Sequence, residues 1–220
     1  AILDKSSSSG FRFIRFKNDP ADSQSISGND IYFTYQDKKG RIWVGAFGGG
    51  LNLLERENGK VCFRNKNNGF THYPLFGLYL EIRNMVEDNA GGMWVGTTDG
   101  LMSFELNFSS VEQIQFETYR KKMHAAFADS DVYALYKDDS SQIWISVFGG
   151  GLNRLIRYDK ANHQPIFKSY GIREGLKNDV LISLIEDDRG RLWFTTENGL
   201  SYFDKHAKQV HSGNFPPFSL

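Results

Sequence analysis

Trp43, Trp94, Trp144 and Trp193 stand 51, 50 and 49 residues apart, and the same residues recur around each of them. An Asp lies six positions before every Trp (Asp37, Asp88, Asp138, Asp187). An apolar residue precedes the Trp directly (Ile42, Met93, Ile143, Leu192), and another follows it (Val44, Val95, Ile145, Phe194). Farther on comes a Gly-Leu pair, at Gly50-Leu51, Gly100-Leu101, Gly151-Leu152 and Gly199-Leu200. A period near 50 residues, with room for four short strands in each unit, predicts an all-β chain of repeating blades instead of one continuous core.

The unit can be read strand by strand. Apolar stretches at Ile31 to Gln36, Ile82 to Glu87, Val132 to Lys137 and Leu181 to Glu186 predict first strands. Each runs into turn chemistry such as Asp37-Lys38-Lys39-Gly40, where Asp bonds nearby amides and Gly accepts positive φ. The second strand then carries the Trp, and the third starts at the Gly-Leu pair. A second recurrence, Phe-x-x-(Phe or Tyr) at Phe13-Phe16, Phe70-Tyr73, Phe116-Tyr119 and Phe167-Tyr170, predicts a fourth strand that precedes each first strand. On that reading residues 13–16 would complete the sheet of residues 181–204 and lock the ends of the chain together. The expected organisation is a tail at 1–10, blades at about 11–64, 65–110, 111–160 and 161–204, and a tail or the start of a next blade at 205–220.

Lys plus Arg equals Asp plus Glu at 26 each, so no whole-chain field draws in nucleic acid or an anionic membrane surface. Cys62 is the only cysteine, which excludes an internal disulfide. There is no run of about 18 apolar residues, so any membrane attachment is expected through flanking segments only.

The string from Leu184 to Leu200 closely resembles the two-component regulator propeller repeat, as does Gln36 to Gly45, and Gly171 to Val180 looks like that family's linker between blades. The third copy departs from the pattern, with Ser140-Ser141 in place of the usual turn glycine and Ser146 after Ile145. The resemblance implies a β-propeller of four-stranded antiparallel sheets, four blades here, forming a segment of a larger propeller. It also implies the periplasmic sensor region of a bacterial hybrid histidine kinase, many of which govern glycan use. A non-catalytic, ligand-sensing role is therefore expected, with an oligosaccharide ligand, a possible homodimer, and the kinase outside these residues.

Two other readings compete with it, a propeller hydrolase or lyase acting on glycans and a protein-binding scaffold. Asp-x-x-Gly-x-x-Trp is similar to the Asp-box turn of sialidases but one residue longer, and an Asp repeated once per blade is not a unique convergent carboxylate pair. No catalytic residue and no cofactor is expected. The five histidines, His72, His124, His163, His206 and His211, show no metal-binding spacing. The turns between second and third strands and the linkers into first strands should share one face of the propeller. Phe47, Phe148, Tyr79, Phe127 and Arg173 are the ligand-binding candidates there.

Overall fold

The computed structural model describes residues 2–4, 12–120, 131–159, 162 and 164–213. A short hairpin comes first, β1 (Ile2–Asp4) with β2 (Arg12–Ile14). Four four-stranded antiparallel sheets follow. The first is β3 (Ile31–Gln36), β4 (Ile42–Ala46), β5 (Gly50–Glu57) and β6 (Lys60–Arg64). The second is β7 (Ile82–Glu87), β8 (Gly92–Thr97), β9 (Gly100–Glu105) and β10 (Glu117–Tyr119). The third is β11 (Val132–Lys137), β12 (Ile143–Val147), β13 (Gly151–Asp159) and β14 (Gln164–Tyr170). The fourth is β15 (Leu181–Glu186), β16 (Arg191–Thr196), β17 (Gly199–Asp204) and β18 (Gln209–Ser212). The first strands neighbour one another in the order β3, β7, β11, β15, so the sheets fan out from them as propeller blades.

The four first strands have the predicted bounds, the tryptophans lie on second strands, and the third strands open at the Gly-Leu pairs. At that opening the glycine is required, because Gly50, Gly100, Gly151 and Gly199 all have positive φ, from +67° to +115°.

The fourth strands correct the sequence reading. Each follows its own third strand in the chain, so every sheet is contiguous. Residues 209–212, placed by the sequence in a tail or next blade, complete the fourth sheet, while residues 12–14 pair with 2–4 instead. Phe70 to Tyr73 is not a strand; β6 takes that place through a two-residue turn at Asn58-Gly59, with φ of +49° and +77°. The aromatic recurrence has a packing cause. The Tyr73 hydroxyl accepts a hydrogen bond from the Leu51 amide, while Tyr119 and Tyr170 lie opposite Leu101 and Leu152 in the strand register. An aromatic ring thus covers each of the first three Gly-Leu pairs, whether or not its backbone is a strand.

Packing between sheets follows one rule. The Trp side chain points to the next sheet, and the residues flanking the next Trp point back. Trp43 packs with Met93, Val95 and Phe104, and Trp144 with Leu192, Phe194 and Phe203. The ring centroids of Trp43 and Phe104 are 5.1 Å apart, and those of Trp144 and Phe203 5.3 Å. Two positions after the Trp, Gly45 and Gly96 let the next first strand approach. A Cβ there would meet Ile82 at 2.6 Å and Val132 at 2.8 Å. The first and fourth sheets do not pack on each other among the described residues, so the four blades form an arc. Ile26 and Phe16 cover the outward face of the first sheet, whereas Ile182, Ile185 and Leu200 of the fourth are exposed.

The divergent third turn carries a cost. Ser141 adopts φ +63°, where the other repeats have Gly40, Gly91 and Gly190, and a side chain in this region is strained by about 1 kcal/mol. Ser141→Gly is therefore expected to stabilise the fold by roughly that amount, read as a higher urea midpoint; an unchanged or lower midpoint would refute the strain. Trp144→Ala should cost about 3–5 kcal/mol. Trp144→Phe, which keeps a ring but loses the indole N–H, should cost about 2 kcal/mol. Equal losses in the two variants would show that the ring contributes nothing beyond its hydrogen bond.

Candidate functional site at the propeller mouth

The repeated Asp does structural work. Asp37 Oδ1 accepts from the amides of Lys39 and Arg41, and its Oδ2 accepts from Trp43 Nε1 at 3.0 Å. The same indole bond recurs at Asp88–Trp94 (2.8 Å), Asp138–Trp144 (2.8 Å) and Asp187–Trp193 (2.7 Å). Each carboxylate thus closes a turn and fixes the ring that fills a sheet face, which leaves it unsuited to acid–base chemistry. A staple joins neighbouring turns: Glu87 accepts from the Lys38 amide, and Glu186 from the Asp139 amide.

The opposite face of the arc carries the candidate site, and β-bulges build it. In every sheet the pairing of the first and second strands shifts register at the second residue of the first strand, which is Tyr32, Arg83, Tyr133 or Ile182. A bulge re-aims a side chain without ending the strand. The turn after the second strand returns to this place. Phe47 N bonds to Asp30 O at 2.8 Å, and Phe148 N to Asp131 O at 2.9 Å.

The outcome is a row crossing three blades. Tyr32 stacks on Phe47 with centroids 4.8 Å apart. The Arg83 guanidinium lies 5.6 Å from the Phe47 ring and 4.4 Å from that of Tyr133. Tyr133 in turn stacks on Phe148 at 5.8 Å. Arg83 is held by a two-pronged ion pair to Asp131, Nε–Oδ1 at 2.7 Å and Nη2–Oδ2 at 3.0 Å. Burial pushes the Asp131 carboxyl above its ordinary pKa, against the opposing pull of Arg83. Tyr32 is exposed and the other rings are half-buried, so the row offers ring edges and faces together with a fixed cation. Such a surface stacks on flat apolar faces and holds hydroxyls by hydrogen bonds.

Of the residues expected at this face, Phe47 and Phe148 are brought into one row. Tyr79 is not. It is fully buried, with its hydroxyl accepting from Arg120 Nε at 3.2 Å and Phe76 packed against its ring. Arg173 sits on an exposed 3-10 turn, Ile172–Glu174, outside the row. Phe127 lies outside the described residues. Sequence reasoning passed over Tyr32, Arg83 and Tyr133, although each occupies the same repeat position directly after Ile31, Ile82 or Val132.

Glu55, Glu57 and Cys62 present ligand atoms within 4.8 Å of one another, but Arg64 already pairs with both carboxylates. Among the described residues no helix is long and apolar enough to cross a membrane.

The blade geometry and the Asp–Trp turn coincide with a known repeat. Residues 25–48, 78–99 and 175–198 match the profile described as "Two component regulator propeller". These are two-component regulator propeller repeats. The strained third copy is not among the matched segments. Over 208 residues the chain is 28% identical to histidine kinase P4 of Formosa agariphila, covering 90% of this chain and 14% of that protein. Its fold superimposes, with a TM-score of 0.61 and 19% identity, on the extracellular domain of a protein described as the hybrid two component system BT3049 of B. thetaiotaomicron. That alignment covers 85% of this chain and 23% of the other. Virginiamycin B lyase of Staphylococcus aureus shares the fold at a TM-score of 0.55 and 13% identity, over 86% of this chain and 56% of its own.

The turn carboxylates tie stability to acid pH. Burial alone would raise the pKa of Asp187, but hydrogen bonds from the Trp193 indole, Arg191 and backbone amides outweigh it and hold the group at about 2. Because the folded value is depressed, the stabilisation is complete above the ordinary carboxyl range near 3.9 and is lost as pH falls through about 2. Urea midpoints should therefore drop between about pH 4 and pH 2, and Asp187→Asn should flatten part of that slope. An unaltered slope in the variant would mean that Asp187 is not a source of it.

Proposed function

We propose that the chain is part of the extracytoplasmic, ligand-sensing region of a hybrid two-component regulator, and that the row Tyr32–Phe47–Arg83–Tyr133–Phe148 holds an oligosaccharide. The repeat family supports the sensor role, and the histidine kinase relative places similar repeats within a much longer signalling protein. Kinase chemistry would then reside elsewhere in such a protein, with the propeller acting by binding on the periplasmic side. The single observation that carries the ligand reading is the alternation of half-exposed rings around an ion-paired arginine, aimed outward by bulges. Sugar rings present apolar faces edged with hydroxyls, which matches a surface of stacked rings edged with hydrogen-bonding groups.

The lyase neighbour shares the fold at an identity that conveys nothing about chemistry, and the repeated carboxylates here are occupied in turns. The chain accordingly binds its ligand without turning it over. Thermal-shift screening of the purified chain against neutral oligosaccharides should find a ligand that raises the melting temperature. Tyr133→Ala or Phe148→Ala should weaken that ligand by roughly tenfold or more while leaving the far-UV spectrum unchanged. A panel without any response, or affinities untouched in both variants, would remove the glycan assignment.

A further inference from the structure

The groove between the third and fourth sheets opens on the face of the Asp turns, away from the aromatic row, and encloses about 600 Å³. That volume lies in the range of small-molecule sites. Strand register places a row of side chains along one wall. Trp144 on β12 is opposite Arg154 on β13, and Arg154 is opposite Lys168 on β14. Two cations thus stand as direct cross-strand neighbours, an arrangement that destabilises a sheet unless something offsets it.

Among the described residues no carboxylate lies within ion-pair distance of Arg154 or Lys168, and Arg154 Nε is buried without a hydrogen-bond partner. Three of the four acids that share the groove already face a cation. Asp138, Asp139 and Glu186 all pair with Lys205, and Asp138 also holds Trp144. Across the groove, Asp188 and Arg189 stand side by side on the turn of the fourth sheet, so together they add no net charge. Contacts to rings are what remain: the Arg154 guanidinium is 5.7 Å from the centroid of Trp144, and Lys168 Nζ is 5.2 Å from that of Tyr170.

The other sheets solve this register position differently. The first has Leu53 opposite Arg64, whose charge is met by Glu55 and Glu57. The second has Ser103 opposite Glu117, and the fourth stacks Tyr202 on His211. The unmatched cation pair is therefore particular to the third sheet and not a property of the repeat.

We infer that this groove is an anion site, in which a small polar molecule seats a carboxylate, sulfate or phosphate group between Arg154 and Lys168. Charge-assisted hydrogen bonds from a guanidinium and an ammonium suit such oxygens, and the bound group would offset the repulsion that the free protein carries. The site is separate from the mouth and stands whether or not an oligosaccharide binds there.

The test uses the purified chain with sodium glucuronate, sodium sulfate and sodium phosphate, each compared with sodium chloride at equal ionic strength so that screening is matched. At least one oxyanion should raise the melting temperature saturably, and the one that acts names the chemical source. Arg154→Gln and Lys168→Gln should each weaken it by about tenfold or more, while Lys60→Gln, at an exposed position on the first sheet, leaves it intact. Lys168→Glu should both abolish the response and raise the melting temperature in chloride, because the new carboxylate faces Arg154. No response to any of the three beyond chloride, a response that survives Lys168→Glu, or a lower melting temperature for that variant in chloride would each overturn the inference.

Discussion

One hydrogen bond, from a tryptophan indole to an aspartate six residues earlier, organises this structure four times over. The aspartate closes the hairpin between first and second strands with one oxygen and fixes the indole with the other. Turn geometry and inter-sheet packing therefore share a single side chain. A buried carboxylate without these donors would be costly, and a large ring without an anchor would be free to repack; together they set the orientation of each sheet against the next. The spacing of glycines two positions after the Trp follows from the same geometry, since the next first strand approaches closely there.

With the scaffold fixed in this way, variation collects at its two ends. At the mouth, a bulge in each first strand turns one residue outward, and the repeat leaves its identity open: tyrosine, arginine, tyrosine, isoleucine. The opposite end is constrained by the Asp turns, yet the grooves between sheets differ. The groove between second and third sheets presents Ser103 and Glu117, and the one between third and fourth presents Arg154 and Lys168. Equivalent positions thus carry unlike chemistry on a common frame, which is how a repeat fold acquires a site without altering its core.

The third repeat shows how far the frame tolerates departure. Ser141 takes the left-handed conformation that glycine fills elsewhere, and Ser146 stands where the first two sheets have glycine, its hydroxyl accepting from the Ala134 amide beside the bulge. The sheet keeps its register because Asp138 and Trp144 are unchanged. The same blade holds the cation row, so the copy least like the pattern has the most individual surface.

By itself the sequence determined the period, the first three strands of every blade and the structural role of the aspartates, because these depend on local turn chemistry and on apolar residues at fixed spacing. It also brought Phe47 and Phe148 to one face, since both precede a run of glycines at the same turn. Tertiary structure alone decided which strand closes each sheet. The Phe-x-x-(Phe or Tyr) recurrence reports a ring that covers a Gly-Leu pair, a contact between distant residues that a strand or a loop can make equally well. It likewise decided that Tyr79 is interior and that Arg83 joins the aromatic row, because a bulge and an ion pair to Asp131, 48 residues away in the chain, set that geometry. The opposition of Arg154 and Lys168 is of the same kind: it exists only once two strands have taken a common register.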